Sequence, residues 1–142
     1  MNLINCVNSV FEQQRDWLIL IARIALVIIF LYSGWGKMTD FSGTVAYFTA
    51  QGIPAPSLAA VIAVFMEVIV ALALLLGIQV RICAFAFVLF TLGTAVFGHA
   101  YWLQEGPARL ANLLNFYKNI AIAGGLLLLC VTGSGRFALK RD

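Results

Sequence analysis

Residues Leu58 to Leu76 read LAAVIAVFMEVIVALALLL, nineteen positions with a single ionisable side chain, Glu67, at their middle. At a rise of 1.5 Å per residue, ~20 apolar residues cross a hydrocarbon layer ~30 Å thick. Backbone amides find no water there, so the stretch reads as a helix; a closed barrel would need many more alternating strands. Three further runs of the same kind lie before and after it. The spans fall at about 17–36, 57–77, 81–100 and 112–132. The expected fold is therefore all-α: one domain over residues 1–142, a bundle of four transmembrane helices.

Composition agrees with that reading. Of the 142 residues 63% are apolar and 11% charged, far more apolar surface than a soluble domain of this size carries. The 9 basic and 6 acidic residues gather at the borders of the apolar runs. The net charge of +3 forms no basic stripe, which excludes nucleic acid as a partner and leaves the lipid bilayer. Cys6, Cys83 and Cys130 form neither a C-x-x-C pair nor a metal-ligand spacing with His99, so no metal site is expected and the cysteines read as structural. The first apolar run is too long for a cleavable signal and lacks an A-x-A site, so it reads as a retained anchor.

The connections are informative. Asp40 or Ser42 is placed to cap a short interfacial helix after the first span, with Phe41, Val45 and Phe48 on one face and Gly52-Ile53-Pro54 ending it. Gly77 to Arg81 is short enough to make the second and third spans an antiparallel pair. Arg15, Arg81, Arg136, Lys140 and Arg141 fall on one side, against Lys37 and Arg109 on the other. By the positive-inside rule both termini are expected in the cytoplasm.

Polar residues inside the spans carry the functional signal, because an ionised side chain at the bilayer centre costs at least ~2.5 kcal/mol and needs a partner. By helical rise Arg23 lies ~9 Å into the first span, and Glu67 lies ~15 Å from the opposite border. A long side chain bridges the remaining ~6 Å, which predicts an Arg23 to Glu67 ion pair. Asn112, Asn115, Lys118 and Asn119 share one face of the fourth span, and Lys118 is placed to reach Glu67 as a second cation. Gly34 and Gly36 give close backbone approach near the same rim as Lys37. Thr91, Thr94, Gly98, His99, Tyr101 and Trp102 add to that rim from the third span. The expected pocket is made of Lys37, Glu67, His99, Trp102, Asn115, Lys118 and Asn119, opening towards the periplasm. A purely structural ion network that fixes helix register, with Lys37 reaching back to the headgroups and the rim aromatics acting as anchors, is the competing reading.

Taken in order, Arg23, Gly34-Trp35-Gly36-Lys37, Phe41 through Gly52-Ile53-Pro54, Met66-Glu67, Gly98-His99 and Lys118-Asn119 resemble the DoxX family of small bacterial and archaeal membrane proteins. The resemblance covers nearly the whole chain. It implies a multi-pass protein of the bacterial inner membrane. The family takes its name from a subunit of an archaeal terminal quinol oxidase. Relatives include a thiosulfate to quinone oxidoreductase subunit, and others are linked to quinone, thiol or oxidative stress. The family's polar positions fall on Arg23, Lys37, Glu67 and Lys118.

The sequence itself carries no haem, flavin, iron-sulfur or dithiol signature. Any oxidoreductase role would then rest on a bound quinone or a redox partner subunit. The expected function is that of a quinone-binding or small-aromatic-binding accessory of a membrane redox or stress-response system, alone or as a homo-oligomer. Lys118, Asn115 or His99 would donate to a carbonyl oxygen while Glu67 holds the cations. The alternatives are a small-molecule or proton pathway in which Glu67 and Arg23 switch partners, and a purely structural subunit of a membrane complex.

Overall fold

The computed structural model describes residues 2–140. Arg141, one of the cations in the orientation argument, lies outside them. Among the described residues four helices are long and apolar enough to cross a membrane: Arg15–Thr39, Pro56–Leu76, Val80–Leu103 and Gly106–Thr132. They are called the first to fourth spans below. The third is regular from Val80–Gly98 and resumes as a single tight turn at Tyr101–Leu103. Among the described residues there is no named strand, only an isolated bridge between Ile78 and Lys140.

Local chemistry sets the boundaries. The short helix Phe41–Ala50 begins where the Asp40 side chain accepts a hydrogen bond from the Gly43 amide at 3.0 Å, so Asp40 and not Ser42 is the cap. Pro56 and Pro107 occupy first-turn positions of the second and fourth spans, where a missing N–H costs nothing. The second span ends on Gly77, whose φ of 77° is the left-handed conformation that glycine adopts without strain.

One helix was not anticipated. Leu3–Gln13 is capped by the Asn2 side chain, which accepts from the Ile4 amide at 3.2 Å. Leu3, Ile4, Val7, Val10 and Phe11 recur at helical spacing along one side of it, and all are exposed. The stretch is too short to span, so a search for long apolar runs passes over it.

The spans pack in a ring, the first against the second and fourth, the second against the third, and the third most extensively against the fourth. Val27, Ala71, Leu74, Ala84, Phe87 and Leu126 are without exposure at the centre, and the Phe30 and Phe87 rings meet at 4.5 Å between centroids. Large apolar side chains such as Ile28, Ile82 and Leu128 point outward, the inverse of a soluble protein and what a lipid solvent requires.

The bundle is closed at the end that carries both termini. There residues 133–140 fold across the helix ends: the Leu139 amide bonds the Leu76 carbonyl at 3.0 Å and the Arg136 amide bonds Asp16 Oδ1 at 2.9 Å. The Trp17 and Phe137 rings pack at a tilt, 4.2 Å between centroids.

Arg23 belongs to this closure, which corrects the predicted Arg23 to Glu67 pair. Its guanidinium donates to the Ser134 carbonyl at 3.0 Å and to the Phe137 carbonyl, while Glu67 pairs elsewhere. The reason is register. Gly34, not Arg23, lies level with Glu67, for a Cβ placed on Gly34 would stand 2.7 Å from the Glu67 Cβ. Arg23 is eleven residues back along the helix, about 16 Å, beyond the reach of an arginine. Side chains also lean towards the N-terminus of their own helix, so on these antiparallel spans Arg23 and Glu67 lean apart.

Candidate functional site

The other half of the bundle is open, and the residue type facing inward explains it. Ala59 and Ala63 on the second span and Gly93 and Gly98 on the third face a cavity of about 580 Å³ instead of filling it. Ile29, Phe30, Ile62, Phe90, Phe97 and Ile122 make its apolar wall. Tyr47 and Phe48 of the short helix, with Ile53 and Pro54 after it, line it from the loop side. Into this space project Ser33, Lys37, Glu67, Thr94, His99, Lys118 and Asn119. The volume falls in the range of small-molecule sites, as does an apolar lining with few convergent polar groups.

Glu67 sits in a π turn, Phe65–Val70, inside an otherwise α-helical span. Such a turn widens the helix by one residue and re-aims the side chains on it, and turns of this kind recur at functional sites. The carboxylate is 5% exposed and accepts from Lys37 Nζ at 2.7 Å. Lys37 also donates to Ser33 Oγ, one turn back on its own helix, at 2.5 Å. Gly34 makes this possible: a methyl group there would also lie 2.9 Å from Val68 Cγ2, so only glycine lets the two backbones come this close.

The third and fourth spans supply the remaining polar groups in linked pairs. Asn119 Nδ2 donates to Thr94 Oγ1 at 3.3 Å, and that hydroxyl donates to the Thr91 carbonyl at 2.9 Å. Asn112 spends its amide N–H on the Ala108 carbonyl at 3.0 Å and turns its oxygen to His99 Nδ1 at 3.2 Å. In the neutral ring Nδ1 therefore carries the proton and Nε2 is left as an acceptor. Lys118 Nζ donates to Asn115 Oδ1 at 2.7 Å, one turn back on its helix.

Of the residues expected in the pocket, Lys37, Glu67, His99, Lys118 and Asn119 line the cavity. Asn115 and Trp102 do not. Asn115 stands behind Lys118, and Trp102 packs edge-on against Tyr101 and Phe116 at 5.2 and 5.9 Å between centroids, half exposed. The expected sharing of Glu67 between two cations is also replaced: its ion-pair partner is Lys37, and the Lys118 contact is to Asn115. Ser33, Tyr47 and Phe48 line the cavity as well and are not among the expected residues. For Ser33 the signal is its i, i+4 spacing from Lys37; Tyr47 and Phe48 belong to the segment expected to lie in the interface.

Comparison with known proteins bears on this arrangement. The family model for DoxX matches residues 18–100. Inner membrane protein YphA of Escherichia coli (strain K12) is 50% identical over 131 residues, 92% of this chain and 94% of the relative. The chain belongs to the DoxX family. A second relative of this DoxX chain, inner membrane protein YqjF of the same organism, is 40% identical over 130 residues, 92% of the chain and 95% of the relative. No solved structure matches it. The matched DoxX region contains Ser33, Gly34, Lys37, Glu67, Thr94 and His99 but ends before the fourth span, which adds Lys118 and Asn119 to the cavity.

Proposed function

We propose that this DoxX protein resides in the bacterial inner membrane and binds a quinone or similar small aromatic molecule in the cavity, as an accessory of a membrane redox or stress-response system. One observation carries the reading: a 580 Å³ apolar chamber into which all four spans project polar groups. A structural ion network needs partners but no empty space, and here the space is large enough for a ring system. The phenyl groups of Phe30, Phe90 and Phe97 suit the faces and edges of such a ring. Lys118 donates to a carbonyl oxygen, and His99 Nε2 accepts from a hydroxyl, so the oxidised and reduced forms of a quinone each find a partner. Glu67 holds Lys37 in place.

The partner switch between Glu67 and Arg23 that a proton pathway would use gains no support, because the two side chains serve opposite ends of the molecule. The binding reading is tested with purified protein and ubiquinone-1 by equilibrium dialysis. Saturable binding is expected, weakened roughly tenfold by Lys118→Ala, as befits loss of one hydrogen bond from a charged donor. Absence of saturable binding, or full affinity in the variant, overturns it.

A further inference from the structure

The cavity's charge is unbalanced, and the imbalance selects among small aromatic ligands. Besides the phenol of Tyr47, four ionisable side chains line it: Lys37, Glu67, His99 and Lys118. Lys37 and Glu67 neutralise each other at 2.7 Å. His99 in its neutral form contributes no charge. Lys118 remains, and its hydrogen bond goes to a neutral amide oxygen, Asn115 Oδ1. Among the described residues no carboxylate pairs with it. The outward acids at this end, Asp40 and Glu105, do not line the chamber, and the Asp40 carboxylate is spent on the Gly43 amide. Lys118 is an exposed residue at the lining of the chamber, and its ammonium is held within the protein by an amide dipole alone, so that two of its three N–H donors are left for another acceptor.

Resting on the reading that the chamber is a ligand site, we infer that its preferred ligand is a small aromatic anion, a flat apolar body carrying one acidic group seated on Lys118. The anion completes the charge balance that the chain leaves open, turning two cations and one carboxylate into two neutral pairs. Asn115 orients the ammonium from outside the chamber, as a positioning residue. The apolar body lies deeper, between Phe30, Ile62, Phe90 and Ile122. The Lys37 and Glu67 pair keeps a second anion from binding there, because that ammonium is already neutralised. A neutral ligand of equal shape fills the same space but leaves Lys118 as it is.

The test compares 1-naphthoate with its neutral counterpart 1-naphthamide, each measured for direct binding to the full-length protein in detergent and for displacement of ubiquinone-1. Expected is naphthoate binding about tenfold or more tighter than naphthamide, the difference made by a charge-assisted hydrogen bond. Lys118→Gln should bring naphthoate down to the level of naphthamide without changing the latter, and Lys118→Arg should keep the preference. Gel filtration of both variants verifies that they remain folded. Equal affinities for the two probes, or a naphthoate preference that survives in Lys118→Gln, overturns the inference. If ubiquinone-1 binds and naphthoate does not, the anion preference fails and the cavity reading stands. If no probe binds, both fail.

Discussion

Gly34 and Glu67 meet where two helices come closest, and the side chain that glycine lacks is what the site depends on. A methyl group on Gly34 would press on both Glu67 and Val68. Overpacking of this kind costs roughly 1–3 kcal/mol, so Gly34→Ala should lower the melting temperature of the detergent-solubilised protein by several degrees. Gly36, two residues on, has nothing within 4 Å of a Cβ. Gly36→Ala should leave the melting temperature within about a degree of wild type, or raise it slightly through helix propensity. The ion pair beside Gly34 behaves differently. Removing one member leaves a buried charge unpaired, at a cost of roughly 3–5 kcal/mol, whereas removing both leaves none. Thermal unfolding of Lys37→Met and of Glu67→Gln should each show a large loss, and the double variant should recover most of it. At this scale the sequence points to most of the right residues and to two pairings that the structure replaces, Arg23 with Glu67 and Lys118 with Glu67. Glu67, Lys37 and Arg23 stand out in any reading because charge in a membrane must be explained. Which of them touch depends on the register between two helices, and composition contains no ruler for that.

Register also governs the elements. The second span reads as one uninterrupted helix, and FMEVIV carries no glycine, proline or polar residue other than Glu67 to announce a π turn. The turn arises where the helix meets Gly34 and is invisible to local propensity. The helix at Leu3–Gln13, by contrast, has a local signal in the spacing of its apolar residues, although it is not among the expected elements. The strap of residues 133–140 has no such signal, since most of the groups it offers to Arg23, Asp16 and Leu76 are backbone amides and carbonyls, which no side-chain pattern encodes. Arg23 is its main anchor. In Arg23→Leu the Ser134 and Phe137 carbonyls lose their donors, and hydrogen exchange at the Leu139 amide should accelerate strongly as its bond to the Leu76 carbonyl opens more often. Affinity for ubiquinone-1 should stay unchanged, because Arg23 does not line the cavity. Parallel loss of affinity would show that the two ends of the bundle are coupled.

For the molecule as a whole the important asymmetry is between a closed end and an open one. Arg15, Arg81, Arg136 and Lys140 surround the end sealed by the strap, whereas Lys37 and Arg109 belong to the end that holds the cavity. Cations near span ends are retained on the cytoplasmic side during insertion. The charge bias therefore predicts a cytoplasmic sealed end and a chamber that faces the periplasm, with the short helix Phe41–Ala50 and the turn Tyr101–Leu103 on the chamber's side. Alkaline phosphatase fused after Lys140 should be inactive, while the same enzyme inserted between Gln104 and Glu105 should be active. The reverse pattern would place the chamber on the cytoplasmic side, and its ligand would then come from the cytoplasm. The charge bias is also open to manipulation. Arg15→Glu together with Arg81→Glu should scramble the fusion pattern, whereas Lys37→Gln, which weakens the minority side, should sharpen it even as it disturbs Glu67. A pattern unmoved by the first pair would mean that features other than these two cations hold the four spans in their orientation.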